Sequence, residues 1–210
     1  MRRSLLVVAT LTAFVSSALP SRAAGVGPAS VPNPRAAKIT FGNPTLPPLG
    51  HSRFCLRYPG DCDAHGPGAQ EEVELTATRW HELEAINREV NLDIIADPTP
   101  PNVITEQWTI SPQSGNCHDY AVTKRHELLE RGWPSSALLL SEVVVPSGEH
   151  HLVLVVRTAD VDLVLDNLDD DIHSVATTRY RWIRIESPAN PRFWSSMHVP
   201  EPIRTAAASP

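Results

Sequence analysis

Basic clusters are missing from this chain: 18 Lys and Arg stand against 24 Asp and Glu, a formal charge of −6. An acidic protein without a basic stripe has no electrostatic footprint for nucleic acid or for an anionic membrane surface. Long apolar runs are missing too. Leu5 to Val15 is too short to span a bilayer, and nothing later approaches the roughly 20 apolar residues a spanning helix needs. Stable membrane insertion is therefore not expected. Cysteine is scarce, with three in all.

The short apolar run has another reading. Arg2 and Arg3 precede it, and Ser21-Arg22-Ala23 places small residues at the −3 and −1 positions of a cleavage site. Residues 1–23 thus read as a secretory signal peptide, and the mature chain as periplasmic or secreted. Its removal takes away three arginines and no acids, leaving 15 basic against 24 acidic residues and a formal charge of −9. About 187 residues remain, enough for one domain with a core of its own.

In an exported chain the cysteines invite pairing. Cys55 and Cys62 flank a Pro59-Gly60 turn, and a disulfide between them would close a short loop worth roughly 2 to 3 kcal/mol. Cys117 is then the odd thiol, which calls for an explanation.

Residues 24–50 are rich in Pro, Gly, Ala and Ser without periodicity and read as a flexible leader. The folded domain is expected over 51–200, with a tail at 201–210. From Glu71 to about Asn91, Val73, Ala77, Trp80, Leu83 and Val90 recur at helical steps. Asn87 falls in that stripe, as a buried hydrogen-bonding group or as the helix edge. A second helix runs from Cys117 past Leu128 and Leu129 to Gly132, with Pro134 just beyond. Strands follow at 137–145, 151–157, 161–166 and 179–186. The tail from Ser187 is Pro-rich, with Phe193 and Trp194 as docking residues. Helices followed by a largely antiparallel sheet predict an α+β fold.

The stretch Gly115-Asn116-Cys117-His118-Asp119 opens the second helix. Asn116 suits the N-cap and Asp119 the acceptor of a capping box, which makes Cys117 the first helical residue. There the unpaired amides and the dipole favour a thiolate. A buried structural cysteine is the alternative. Downstream, a two-residue loop at Thr158-Ala159 sets Arg157 opposite Asp160 and His151 opposite Asp166. A three-residue loop shifts the partner to Asn167, which also accepts a hydrogen bond. His150 competes with His151 but points to the other face of its strand. A helix-tip thiol with an oriented imidazole is the arrangement for nucleophilic acyl transfer.

Gly115 to Ala121, Lys124-Arg125, His151 to Leu154 and Leu165 to Leu168 together resemble the bacterial transglutaminase-like cysteine peptidases, a family that includes the periplasmic LapG proteases. The similarity extends through Trp80, Asn87, Asn91, Trp108, Gly132, Tyr180 and the 191–194 segment, and covers about residues 51–196. Cys55 to Cys62 resembles a short exported branch found in rhizobia-like bacteria. The resemblance implies a papain-like transglutaminase core, Cys117 as nucleophile, His151 as base and Asp166 orienting it, and a protein or peptide substrate. The oxyanion would meet the Cys117 amide, with Gln113 as the candidate second donor.

One departure bears on cofactors. The family commonly has acids on both sides of the nucleophile, and in the LapG branch they help to hold calcium; here Asn116 and His118 stand in those places. Calcium needs several hard oxygen ligands, so neither calcium nor another cofactor is expected. Three further readings stay open. One is acyl transfer to an amine, as in transglutaminases or amidases. Another is a non-catalytic binding module on the same fold. The last is a zinc site from Cys117, His118, His150 and Asp166, whose spacing matches no paired-ligand motif.

Overall fold

A computed structural model of the chain describes residues 37–64, 72–97, 99 and 104–199. The expected signal peptide at 1–23, residues 24–36 of the leader and the tail at 201–210 lie outside them. Three helices pack on a sheet whose centre is set by two strands, β4 (Leu138–Val144) and β5 (His150–Arg157). Both are buried nearly throughout. One face carries Leu138, Leu140, Leu152, Leu154 and Val156 against the helices, and the other carries Leu139, Val143, Val153 and Val155. Burial on both faces explains why these segments read as continuous apolar runs rather than alternating ones.

Around that centre the antiparallel sheet is ordered β1 (Thr40–Thr45), β9 (Asn190–His198), β8 (Arg181–Ser187), β4, β5, β6 (Asp162–Leu165) and β7 (His173–Ser174). Helix α2 (Ala77–Asp93) and helix α3 (Cys117–Glu130) cover one face, with α1 (Leu49–Arg57) beside them. A short parallel pair joins β2 (Ile95–Ala96) to β3 (Ser114–Gly115), tying the end of α2 to the segment that leads into Cys117. Among the described residues no helix is long and apolar enough to cross a membrane.

The α+β class and the four strands expected after α3 are present; three boundaries differ. The expected leader gives up its second half to the domain: Ala37 and Ile39 are buried, β1 pairs with β9, and α1 begins at Leu49. Pairing with the distant strand β9 orders this segment, and composition is blind to such pairing. Helix α2 begins at Ala77 rather than Glu71, because the Thr76 hydroxyl accepts the Arg79 N–H and caps it there. Val73 instead bridges Thr158. The Pro-rich tail is strand β9, with Trp194 buried and Phe193 exposed. It accommodates Pro191 because Ser187 pairs with Asn190 while Glu186 pairs with Trp194, which bulges 191–193 out of the ladder. Asn87 resolves as the buried hydrogen-bonding group, donating to the Asp170 carbonyl at 2.9 Å.

The end of α3 meets its expectation in detail. Gly132 adopts φ +83°, and the Gly132 and Trp133 amides bond back to the Leu129 and Leu128 carbonyls, a Schellman closure. Cys55 and Cys62 form the expected disulfide. Beside it, buried His51 donates to Glu186 at 2.9 Å, and Glu186 also accepts the Leu140 amide. Arg125 of α3 stands 3.5 Å from the same carboxylate. One buried acid thereby joins α1, α3 and the sheet.

Candidate active site

Cys117 is the first residue of α3 and the one free cysteine among those described. Its position comes from a reciprocal cap. The Asn116 side chain accepts the His118 N–H at 3.0 Å, and Asp119 accepts the Asn116 N–H at 2.9 Å. The second oxygen of Asp119 accepts the Thr109 N–H at 2.8 Å, which anchors the preceding loop to the helix start. Gly115 is required here, since a Cβ would lie 2.6 Å from the Asp119 carboxylate.

His151 and Asp166, both buried, meet at 2.7 Å through Nε2 and Oδ1. The pairing is not the one that spacing predicts. Leu154 faces Leu165 and Arg157 faces Asp162, so one further step sets Asp166 opposite Val153. His151 and Asp166 are diagonal neighbours on one face, within reach of a long side chain. The two-residue loop fails because the Thr158 hydroxyl accepts the Val161 N–H and donates to its carbonyl, closing a longer turn. Val73 also holds both Arg157 and Ala159 through backbone bonds.

With Nε2 on Asp166, Nδ1 is left for Cys117, which lines the same cleft as the imidazole. Burial opposes a charge on His151, but Asp166 and Cys117 outweigh it and raise its pKa from 6.5 to about 9. Burial likewise opposes the Asp166 charge, yet the bonds from His151 and Tyr180 hold its carboxyl below the usual range. The Tyr180 hydroxyl donates to Asp166 Oδ2 at 2.5 Å and the Leu168 amide to Oδ1 at 3.1 Å. Nothing local in the sequence marks Tyr180 for this role, because it arrives from the far side of the sheet. His150 is exposed and turns to Glu142 at 2.7 Å, away from Asp166.

Polar residues of the helices hold the acid's loop. Asn91 donates to the Asp166 carbonyl at 3.0 Å and to the Asp170 carboxylate at 2.8 Å. Lys124 is buried beneath, and desolvation pulls its pKa down to about 7 against the pull of Asp166 and Asp170. The acidic run 169–171 is thus tied to α2 by Asn87 and Asn91 rather than left as a free turn.

A cleft of about 240 Å³ exposes Cys117 and His151 between Asp97, Asn116 and Glu149. Gln113 does not border it. Its side chain is exposed in a depression with Val90, Thr123 and Glu127, because its carbonyl is fixed to the Ile95 amide by the β2–β3 pairing. The four candidate zinc ligands do not converge. His118 stacks flat on Trp108 at 4.8 Å and 9°, and the one potential metal cluster among the described residues, His51 with Cys55 and Cys62, has its sulfurs in the disulfide. Burial, with His151's charge, lowers the His118 pKa to about 4. For calcium the residues at this helix tip fit poorly. Asp119 is the remaining acid, both its oxygens already serve backbone amides, and His118 offers nitrogen.

A buried disulfide-stapled α+β domain with a free helix-tip thiol, an imidazole and an acid in sequence defines a thiol-dependent class of enzyme. The model for the bacterial transglutaminase-like cysteine proteinases matches residues 41–201, and the chain belongs to that family of cysteine peptidases. No curated protein sequence matches. Among solved structures, LapG of Legionella pneumophila is similar at 22% identity and a TM-score of 0.42, over 50% of this chain and 62% of that one. Its calcium-bound form matches at 23% and 0.44 over 50% and 64%, and its EGTA-treated form at 23% and 0.42 over 50% and 62%. The chain spans less than two thirds of the length of each.

The pair's charge sets a pH dependence of stability. His151 has a folded pKa above its ordinary value, so its contribution is full below pH 6.5 and is lost as pH rises through about 9. Lys124 works in the opposite sense above about pH 7, but the part of its charge that Asp166 supports is lost from the parent over the same interval and adds to the narrowing. Asp166→Asn should therefore cost on the order of 3 kcal/mol below pH 6.5 in urea denaturation. That difference from the parent should shrink toward pH 9; a difference that stays flat across the interval contradicts a charged His151.

Proposed function

We propose that the protein is an exported peptidase in which Cys117 is the nucleophile, His151 the proton carrier and Asp166 the group that orients it. What supports the reading most is one observation: the free thiol at the tip of α3 shares a cleft with an imidazole whose Nε2 is 2.7 Å from a buried carboxylate. The thiolate attacks the carbonyl carbon of a peptide bond and forms a C–S bond. The imidazolium gives its proton to the departing amine as the C–N bond breaks. Water, deprotonated by the same imidazole, then hydrolyses the thioester and frees the thiol. The developing oxyanion would meet the Cys117 amide, a first-turn N–H with no acceptor inside the helix.

Export is supported by the signal-peptide pattern of residues 1–23 and by the Cys55–Cys62 disulfide, which suits an oxidising compartment. The substrate is a protein or peptide, with no nucleic acid partner and no stable membrane insertion. The reaction runs without calcium, since Asn116 and His118 replace two acids and Asp119 is occupied.

At mildly acidic pH, iodoacetamide should alkylate Cys117 at least about tenfold faster in the folded protein than in urea, and His151→Ala should remove the advantage. Cys117→Ala should abolish the processing of exported proteins that proteomics detects in cells carrying the active chain. Equal labelling in folded and unfolded protein, or processing that survives the substitution, contradicts the assignment. Calorimetric titration should show no micromolar calcium binding; a saturating isotherm in that range would overturn the calcium statement.

A further inference from the structure

Beside the cleft, and sharing His151 with it, lies a second cavity of about 460 Å³. Its lining includes His151, His118, Trp108 and Leu152, but not Cys117. It therefore adjoins the base, the group that would protonate the departing amine, rather than the nucleophile. Apolar walls and acidic groups share it. Glu142 is already matched, with Arg184 at 2.5 Å on one oxygen and His150 at 2.7 Å on the other. Glu149 stands exposed at the mouth common to both cavities.

Glu106 is different. Its side chain is only 9% exposed, Oε1 accepts the Trp108 indole N–H at 3.3 Å, and Oε2 has no hydrogen-bond partner. His118 Nδ1 lies 3.7 Å from that oxygen, but with its pKa held near 4 it carries no charge at neutral pH. Burial pushes the Glu106 carboxyl above its ordinary pKa. Arg53 attracts this carboxylate without forming an ion pair with it, so Glu106 is a desolvated acceptor with one oxygen unbonded, which a cation entering the cavity would satisfy.

The geometry points to a specificity site: the cavity takes the lysine or arginine side chain of the substrate residue that follows the scissile bond, its stem on Leu152 and Trp108 and its charge on Glu106. This rests on the peptidase reading above and adds the substrate class. Glu106, Glu142 and Glu149 outnumber the charged bases of the lining, Arg184 and His151, and each of those is already paired with an acid, so a basic side chain meets attraction and an acidic one repulsion.

The test uses two affinity labels that share a chloroacetamide and differ only at the end of the amide tail: the chloroacetamide of agmatine, which ends in guanidinium, and its neutral urea counterpart. In each the Cys117 sulfur displaces chloride, and the tail extends on the nitrogen side. The full chain should react about tenfold faster with the guanidinium label, the worth of one charge-assisted hydrogen bond. In Glu106→Gln, which keeps an acceptor for Trp108, the ratio should fall to about one. Glu149→Lys, at an exposed position that leaves the fold intact, should lower it as well. Equal rates in the parent, or a ratio that both variants leave unchanged, overturns the inference while leaving the peptidase reading in place. If neither label reacts with folded Cys117 faster than with the unfolded chain, the nucleophile assignment fails and the inference fails with it.

Discussion

The buried contact between His151 and Asp166 is the constraint around which this domain is arranged. Two ionisable groups out of water cost several kcal/mol each unless geometry and further hydrogen bonds offset the loss. Here the offset comes from every direction. Tyr180 reaches Asp166 from the residue before β8, the Leu168 amide from the loop that follows the acid, and Asn91 of α2 fixes the backbone carbonyl of the acid itself. His151 in turn sits on the central strand pair, where both faces are packed. A pair held this way resists drift, and the proton transfer proposed for this imidazole needs that stillness.

The thiol is brought to the pair by a different device. Asp119 accepts the amides of Asn116 and Thr109 and so fixes the loop that enters α3 as well as the helix start. Behind the helix, Arg125 and His51 converge on Glu186, and the Cys55–Cys62 disulfide staples the neighbouring turn. The same acid that caps the helix is thereby committed to structure, which explains why it is a poor candidate for ligating a cation.

Much of the site was legible because it is local. Asn116, Cys117 and Asp119 lie within four residues, and a capping box needs nothing from the rest of the chain. The pairing of His151 with Asp166 was also legible, though through the wrong register: spacing proposed a tight loop, and Thr158 closed a longer one while Val73 arrived from a distant segment. Diagonal reach rescued the pair. The misses share one cause. Thr40–Thr45, Val73, Tyr180 and Glu106 owe their roles to partners more than ten positions away or to burial, and neither is written in composition or period. Gln113 failed for the converse reason: it is close to Cys117 in sequence, but the β2–β3 pairing turns it toward another depression.

Catalysis as proposed depends on a His151 held charged between an acid and a thiol. The direct measurement is an NMR titration of the labelled histidine side chains, with His151 assigned through His151→Ala. The imidazole should keep its proton until about pH 9 and return toward the ordinary 6.5 when Asp166 is replaced by Asn. A His151 that titrates near 6.5 in the parent contradicts that dependence.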